Sequence, residues 1–165
     1  MLEIFCDGSS SGEKGKPIGW GWIITRDQKV LAANYGWQVE GTNNLAELLA
    51  GISGLEAVIE MKLQQPGEEI VLVSDSLYVI GMAMGKYEPK ANIPYAKKIL
   101  GLMQQVKGQT RWVRGHSVDP RIPWQENEYD SLMNHRADSL AKHGKQEAKK
   151  AMDDNLKHKE RRHGK

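Results

Sequence analysis

The spacing of apolar residues changes period several times along the chain, and each change marks an element. Leu2-Glu3-Ile4-Phe5-Cys6-Asp7 is a short apolar run ending in Asp-Gly-Ser, which reads as a strand meeting a turn. Residues 12–19 (GEKGKPIG) read as a polar loop. Residues 20–39 (WGWIITRDQKVLAANYGWQV) read as a hairpin, two β-rich runs joined around Arg26-Asp27-Gln28-Lys29. From Asn43 to Leu63 the period becomes helical: Leu45, Leu48, Leu49, Ile52 and Leu55 repeat at i, i+3, i+4, i+7 and i+10. Pro66-Gly67 breaks that helix, and residues 69–75 (EIVLVSD) read as a buried strand. Residues 76–85 predict a short helix. Residues 94–106 predict another, with Ile99, Leu102, Met103 and Val106 on one face. Residues 110–116 (TRWVRGH) predict a final strand. Residues 134–144 (NHRADSLAKHG) begin a last helix that runs on toward a basic tail.

The predicted order is β-β-β-α-β-α-α-β-α. Three early strands imply an antiparallel meander, and strands separated by helices imply parallel crossovers. The expected architecture is therefore α/β, a five-stranded mixed sheet with helices packed on it. Residues 1–143 are expected to form one domain, and 144–165 a basic helical extension or flexible tail.

Composition and charge narrow the possibilities further. The 165 residues are 39% hydrophobic and 27% charged, a globular rather than a disordered profile. No apolar run approaches 18 residues, so no membrane span is expected. MLEIFCDGSS has no basic segment or cleavage site, so no signal peptide is expected, nor a separate binding domain ahead of Leu2. Cys6 is the sole cysteine, which suits a reducing cytoplasm. Net charge is +2, unevenly placed: residues 144–165 carry +4 and the remainder −2. A basic tail points to contact with a polyanion, or else to a solvated terminus.

Several carboxylates stand in positions where a carboxylate is costly. Asp7 ends an apolar strand, though Asp-Gly is also a common turn dipeptide. Glu47 stands beside the apolar face of its helix, either as a boundary residue or as a group pressed against the strand ends. Gly51 and Gly54, on its own stripe, would let the helix approach the sheet, and mid-helix glycines each cost roughly 1 kcal/mol against alanine. Asp75 ends a predicted central strand, where sites form in open α/β sheets. Ser74, Asp75 and Ser76 can equally cap the next helix. Three such carboxylates at one point would repel, and a divalent cation would offset that repulsion. All-oxygen ligands select Mg²⁺ or Mn²⁺, and two such ions about 4 Å apart suit in-line attack on a phosphodiester.

With these residues in view, the chain resembles the type 1 ribonuclease H family. CDGSS is similar to that family's first-strand Asp-Gly-Ser motif. GTNNLAELLAGISGLEAV is similar to its Thr-Asn-Asn-x-x-Glu helix, and LVSDSLYVIG to its Asp-Ser-x-Tyr-Val motif. WVRGH resembles its Trp-Val-x-Gly-His strand end, and NHRADSLAK its Asn-x-x-x-Asp-x-Leu-Ala helix. The five motifs occur in family order over residues 2–142. The resemblance implies a ribonuclease H-like fold and an endonuclease that cuts the RNA strand of an RNA–DNA hybrid, leaving 3′-hydroxyl and 5′-phosphate ends. It implies that Asp7, Glu47, Asp75 and Asp138 hold two Mg²⁺ ions, with Mn²⁺ as a substitute and Asp7 bridging both. It further implies that His116, on a mobile loop, assists proton transfer or product departure. Asn43, Asn44 and backbone groups near Ser9 and Ser10 would read the 2′-hydroxyl, Thr42 would meet a DNA phosphate, and Asn134 would help hold the substrate. Thr42-Asn43-Asn44 also reads as a helix N-cap cluster, and the two roles are compatible. Trp20, Trp22 and Trp37 are spaced for core or sheet-face packing rather than base stacking. A monomer is expected.

Three departures from the family pattern stand out. Leu77 replaces a base-contacting glutamine. KYEPKANIPYAKK is too short for the family's basic protrusion, so this is a handle-less member, and the basic tail is expected to add non-specific nucleic-acid contacts. An insertion around DPRIPWQENEYDSL separates His116 from the last helix. Of the aspartates in that region, Asp119 precedes Pro120 and reads as a turn residue. Asp130 lacks an asparagine four positions ahead. Asp138 has Asn134 at i−4 and is the expected fourth ligand, on a helix beginning at about Leu132. The rival readings are a structure-specific DNA nuclease on the same fold and a non-catalytic nucleic-acid-binding module.

Overall fold

The computed structural model describes residues 1–13 and 15–163. Strands β1 (Leu2–Ser10), β2 (Lys16–Arg26) and β3 (Lys29–Gly41) form the antiparallel meander. Helix α1 (Asn43–Glu60) leads to strand β4 (Ile70–Ser74), helices α2 (Leu77–Ala83) and α3 (Ile93–Val106), strand β5 (Gln109–Trp112) and helix α4 (Tyr129–His163). A single 3₁₀ turn at Trp124–Glu126 interrupts the loop before α4. The sheet order is β3-β2-β1-β4-β5, with β4 parallel to both neighbours and the other pairs antiparallel. This is the expected mixed sheet with the expected element order.

Alternation along β1 divides the core in two. Leu2, Ile4 and Cys6 join Leu48, Ile52 and Leu55 of α1, with Ile99 and Met103 of α3 behind them. Phe5 faces the other way, toward Val73, Val113 and Met133 under α4. Trp22 is buried in the first core and Trp20 packs against it, whereas Trp37 is 40% exposed on the edge strand β3. The β2–β3 hairpin turns at Asp27 and Gln28, both with left-handed φ (52° and 64°), the geometry that matches strand twist in a two-residue turn.

Boundaries differ from expectation most tellingly at β2, β5 and α4, and α1 ends at Glu60 rather than Leu63. β2 begins at Lys16, because Lys16–Gly19 pair with β3 or β1 rather than looping out. β5 ends at Trp112, so Arg114-Gly115-His116 lie beyond the strand. α4 begins at Tyr129, not near Leu132, because Tyr129 packs edge-on against Phe5 and Asp130 is pinned by Arg111. α4 then continues without a break through residue 144 to His163.

α4 lies on a row of glycines. A Cβ at Gly21 would stand 2.6 Å from the Ala137 carbonyl oxygen, and one at Gly19 would strike the Ala141 carbonyl oxygen. Gly144 meets the Gly36 carbonyl oxygen in the same way. The helix backbone thus rests directly on the backbone of β2 and β3.

Candidate active site

The β1–β4 register sets the first two carboxylates side by side. Phe5 pairs with Val73, so Asp7 and Asp75 both stand two residues past the last parallel pair. Adjacent strands are about 4.8 Å apart, so both side chains project from neighbouring strand ends. Asp75 is released from capping duty: Ser76 caps α2 by accepting from the Val79 amide at 3.2 Å. The Trp112 indole N–H donates to the Asp75 carbonyl at 3.1 Å and fixes the chain there.

Glu47 arrives from α1. Thr42 caps that helix, accepting from the Leu45 amide at 3.2 Å. Gly8 lets the helix backbone come close, since a Cβ there would stand 2.5 Å from the Glu47 nitrogen. The Gly8 amide donates to Glu47 Oε1 at 2.9 Å and to Asp7 Oδ1 at 3.0 Å, so one N–H serves both acids. The stripe glycines have other neighbours: Gly54 rides over Ile4 and Trp22, and Gly51 faces Ile99.

Asp7, Glu47 and Asp75 each place a carboxylate oxygen within 4.8 Å of the others. Asp7 and Glu47 are buried, and Glu47 Oε2 has no hydrogen-bond partner. Burial, then the facing Glu47 and Asp75 carboxylates, push Asp7 up to about 11. Burial likewise pushes Glu47 up to about 7. Asp75 is raised by burial, against the opposing pull of the Asn134 amide and His116. Asp138 lines the same cleft of about 370 Å³, as do His116 and Asn43. Its Oδ2 accepts from Lys142 Nζ at 2.9 Å, one helical turn on. Two buried acids and a half-buried third, with an unpartnered oxygen on Glu47, fit a divalent cation.

The remaining predicted residues surround this cleft. Asn134 is buried on α4, turned toward Asp75. His116 is exposed with a left-handed φ of 52°, and Gly115 crowds against Asp75 Oδ2. Ser9 is buried, while Ser10 Oγ donates to Asn43 Oδ1 at 3.4 Å. Asn43 and Asn44 are exposed in the first turn of α1. Leu77 is 68% exposed beside Ser76. Between α2 and α3 lie only residues 84–92, with no added helix.

The other two aspartates are occupied elsewhere. Asp119 accepts from the Arg121 backbone and guanidinium at 2.9 Å in an exposed turn. Asp130 accepts both arms of Arg111 at 2.8 and 2.9 Å, and Arg111 also pairs with Glu3. The insertion is an ordered loop. Asn127 accepts from the Asp119 amide at 2.7 Å, its own amide faces the Pro123 and Trp124 carbonyls, and Trp124 packs edge-on against His135. Sequence reasoning missed the Glu3–Arg111–Asp130 group and the glycine row. Gly19 and Gly21, two apart in a strand, were the available signal for the latter.

The family model described as RNase H matches residues 1–146. The chain is 32% identical to a ribonuclease H of Geotalea uraniireducens over 86% of this chain and 91% of that protein. It is 33% identical to a ribonuclease H of Rhizobium meliloti over 91% and 94% respectively. Among solved structures, LC11 ribonuclease H1 in complex with an RNA/DNA hybrid superposes with a TM-score of 0.68 at 24% identity, covering 90% of this chain and 99% of that one. The N-terminal ribonuclease H domain of a Mycobacterium tuberculosis protein superposes at 0.71 and 23% identity, covering 92% and 97%.

Proposed function

The chain belongs to the ribonuclease H family and is a ribonuclease H enzyme, and on that premise we propose that it hydrolyses the RNA strand of RNA–DNA hybrids by a two-metal-ion mechanism. The carrying observation is the Asp7–Glu47–Asp75 cluster, with its unpartnered Glu47 oxygen and no cation of its own. Asp7, Glu47, Asp75 and Asp138 would hold two Mg²⁺ ions, with Mn²⁺ as a substitute. Bound there, such ions supply a water of lowered pKa and stabilise the leaving oxygen.

The residues of the chain do the rest. Asp7 lies within reach of both Glu47 and Asp75 and would hold metal together with them. The Gly8 amide holds Asp7 and Glu47 in one orientation. Asn134 steadies Asp75 and thereby helps hold the substrate-facing side of the cleft. His116, exposed at the mouth, would take and release a proton as product departs. A water oxygen bonds to phosphorus as the P–O3′ bond breaks and O3′ takes up a proton, so the products would carry 3′-hydroxyl and 5′-phosphate ends. Ser9, Ser10, Asn43 and Asn44 would read 2′-hydroxyls in the shallow minor groove of the hybrid, where proteins distinguish RNA from DNA. Thr42 would meet a DNA phosphate while capping α1. The hybrid bound to the LC11 enzyme supports this substrate class. The protein would act as a monomer in the cytoplasm, with the basic residues beyond Gly144 adding non-specific contacts.

The test is a substrate panel in Mg²⁺ or Mn²⁺: hybrid, double-stranded DNA, double-stranded RNA and single strands. Cleavage of the hybrid RNA alone is expected. Cleavage of duplex DNA would replace the reading with a DNA nuclease, and no cleavage at all with a binding module.

A further inference from the structure

Helix α4 carries more than Asp138 on its cleft-facing side. Residues 142, 145 and 149 follow Asp138 at i+4, i+7 and i+11, which places all four on one face of the helix, and the three are lysines. Lys142 is engaged with Asp138. Lys145 is half-buried, and its Nζ reaches the Ser10 carbonyl oxygen at 3.4 Å. Ser10 in turn reaches Asn43. The lysine face, the end of β1 and the first turn of α1 are therefore one continuous surface leading out of the cleft.

This surface has more positive charge than its surroundings neutralise. Burial, then the neighbouring Lys149 and Lys142 ammonium groups, hold Lys145 below the ordinary lysine range. Lys150, on another face, has Glu147. Among the described residues no carboxylate pairs with Lys145 or Lys149. From Asp153 onward α4 is exposed to its described end, and Asp153 and Asp154 interrupt the basic face there.

We propose that Lys145 and Lys149 form a phosphate-binding stripe that holds the backbone of the duplex as it leaves the cleft past Ser10. The proposal rests on the reading that the cleft takes an RNA–DNA hybrid. At ~1.5 Å per residue the stripe reaches roughly 16 Å from Asp138, about five nucleotide steps at ~3.4 Å along one strand. It supplies grip on the packed part of α4, while the α2–α3 connection holds no added helix. It also moves the main electrostatic contact from the far tail to two lysines beside the site. Those lysines are held by a helix anchored at Gly144 and Ala148, both buried, so little side-chain and backbone freedom is lost on binding.

The full-length wild type, Lys145→Gln/Lys149→Gln, Lys149→Glu and Lys157→Gln/Lys159→Gln are compared for binding to an RNA–DNA hybrid and a duplex DNA of the same sequence. Binding is read by fluorescence anisotropy in Ca²⁺ across a salt series. Loss of two phosphate contacts lowers the slope of log Kd against log salt by about 1–2. That loss is expected for Lys145→Gln/Lys149→Gln, with less than half of it for the charge-matched tail variant. A slope equal to wild type, or equal to that of the tail variant, overturns the stripe. Lys149→Glu changes an exposed residue only. It should weaken binding at low salt by at least tenfold, and unaltered binding overturns the proposal independently of any folding defect at Lys145. The two readings fail separately. A wild type that binds the duplex in Mg²⁺ and leaves its RNA intact overturns the proposed activity while the slopes still judge the stripe. An unchanged slope in an enzyme that cuts hybrid RNA overturns the stripe alone.

Discussion

Strand β1 carries two buried acids, Glu3 and Asp7, four positions apart on the same face of the strand, and each belongs to a three-element cluster. Glu3 meets Arg111 of β5, whose guanidinium also clamps Asp130 of α4. Asp7 meets Glu47 of α1 and Asp75 beyond β4, and no basic residue lies among the three. The first cluster contains its own cation. The second leaves an oxygen of Glu47 unpartnered and its acids shifted toward the protonated form by burial and mutual repulsion. Burial of acids is therefore not what marks the site. The mark is burial without an internal counter-charge, since such a cluster remains costly until an ion arrives from solution.

The largest effect that tests this contrast is on catalysis. Asp75→Asn should lower hybrid cleavage by at least ~10²-fold, the scale of losing a preorganised electrostatic group. It should also raise the melting temperature of the metal-free protein, because it removes a carboxylate that pushes Asp7 and Glu47 toward the protonated form. A variant that cuts at the wild-type rate, or that melts well below wild type without metal, would erase the distinction between the clusters.

The next effect is on stability at the other end of β1. Arg111→Met leaves Glu3 buried without its cation and should cost about 1–3 kcal/mol. This is less than the ~3–5 of a fully buried pair, because the Arg111 side chain is 34% exposed and partly screened. Denaturant titration measures it, and hybrid cleavage per folded molecule should be retained. Loss of cleavage without loss of stability would mean that the two clusters communicate.

The smallest effect is a pH dependence, and its sign follows from linkage. Glu47 is raised from 4.5 to about 7 in the native protein, so the native state keeps a proton that the unfolded chain gives up between those values. Stability is fully present below about 4.5 and declines as pH rises through about 7. Subtracting the melting curve of Glu47→Gln from that of the metal-free wild type should isolate a difference that falls over this window. Saturating Mg²⁺ should flatten or reverse it. A difference that rises with pH in the metal-free protein would contradict the buried, uncompensated state of Glu47.

Much of this was legible before the coordinates. The amphipathic period of Leu45, Leu48, Leu49, Ile52 and Leu55 located α1, and the alternation around Arg26–Lys29 located the hairpin, because each pattern meets one buried face. Asp7, Glu47 and Asp75 stood out because they border apolar runs. Their convergence needed register: only the pairing of Phe5 with Val73 shows that two strand ends present their acids together. The start of α4 was misplaced because the residues that extend it, Tyr129 and Asp130, are held by Phe5 and Arg111, distant in sequence. The same long-range pairing explains Asp130 better than motif spacing does. It is the partner of Arg111, 19 positions away, and no local pattern announces that Arg111 pairs in turn with Glu3 across 108.

The glycine row beneath α4 has one more consequence. Asp7, Glu47 and Asp75 are positioned by β1, β4 and α1, whereas Asp138 rides on a helix whose depth is set by bare backbone at Gly19, Gly21 and Gly36. A methyl at Gly19 or Gly21 would lift α4 and carry Asp138 away from three carboxylates that stay in place. The β2–β3 hairpin, which contributes no acid to the cleft, thus governs the clearance across it.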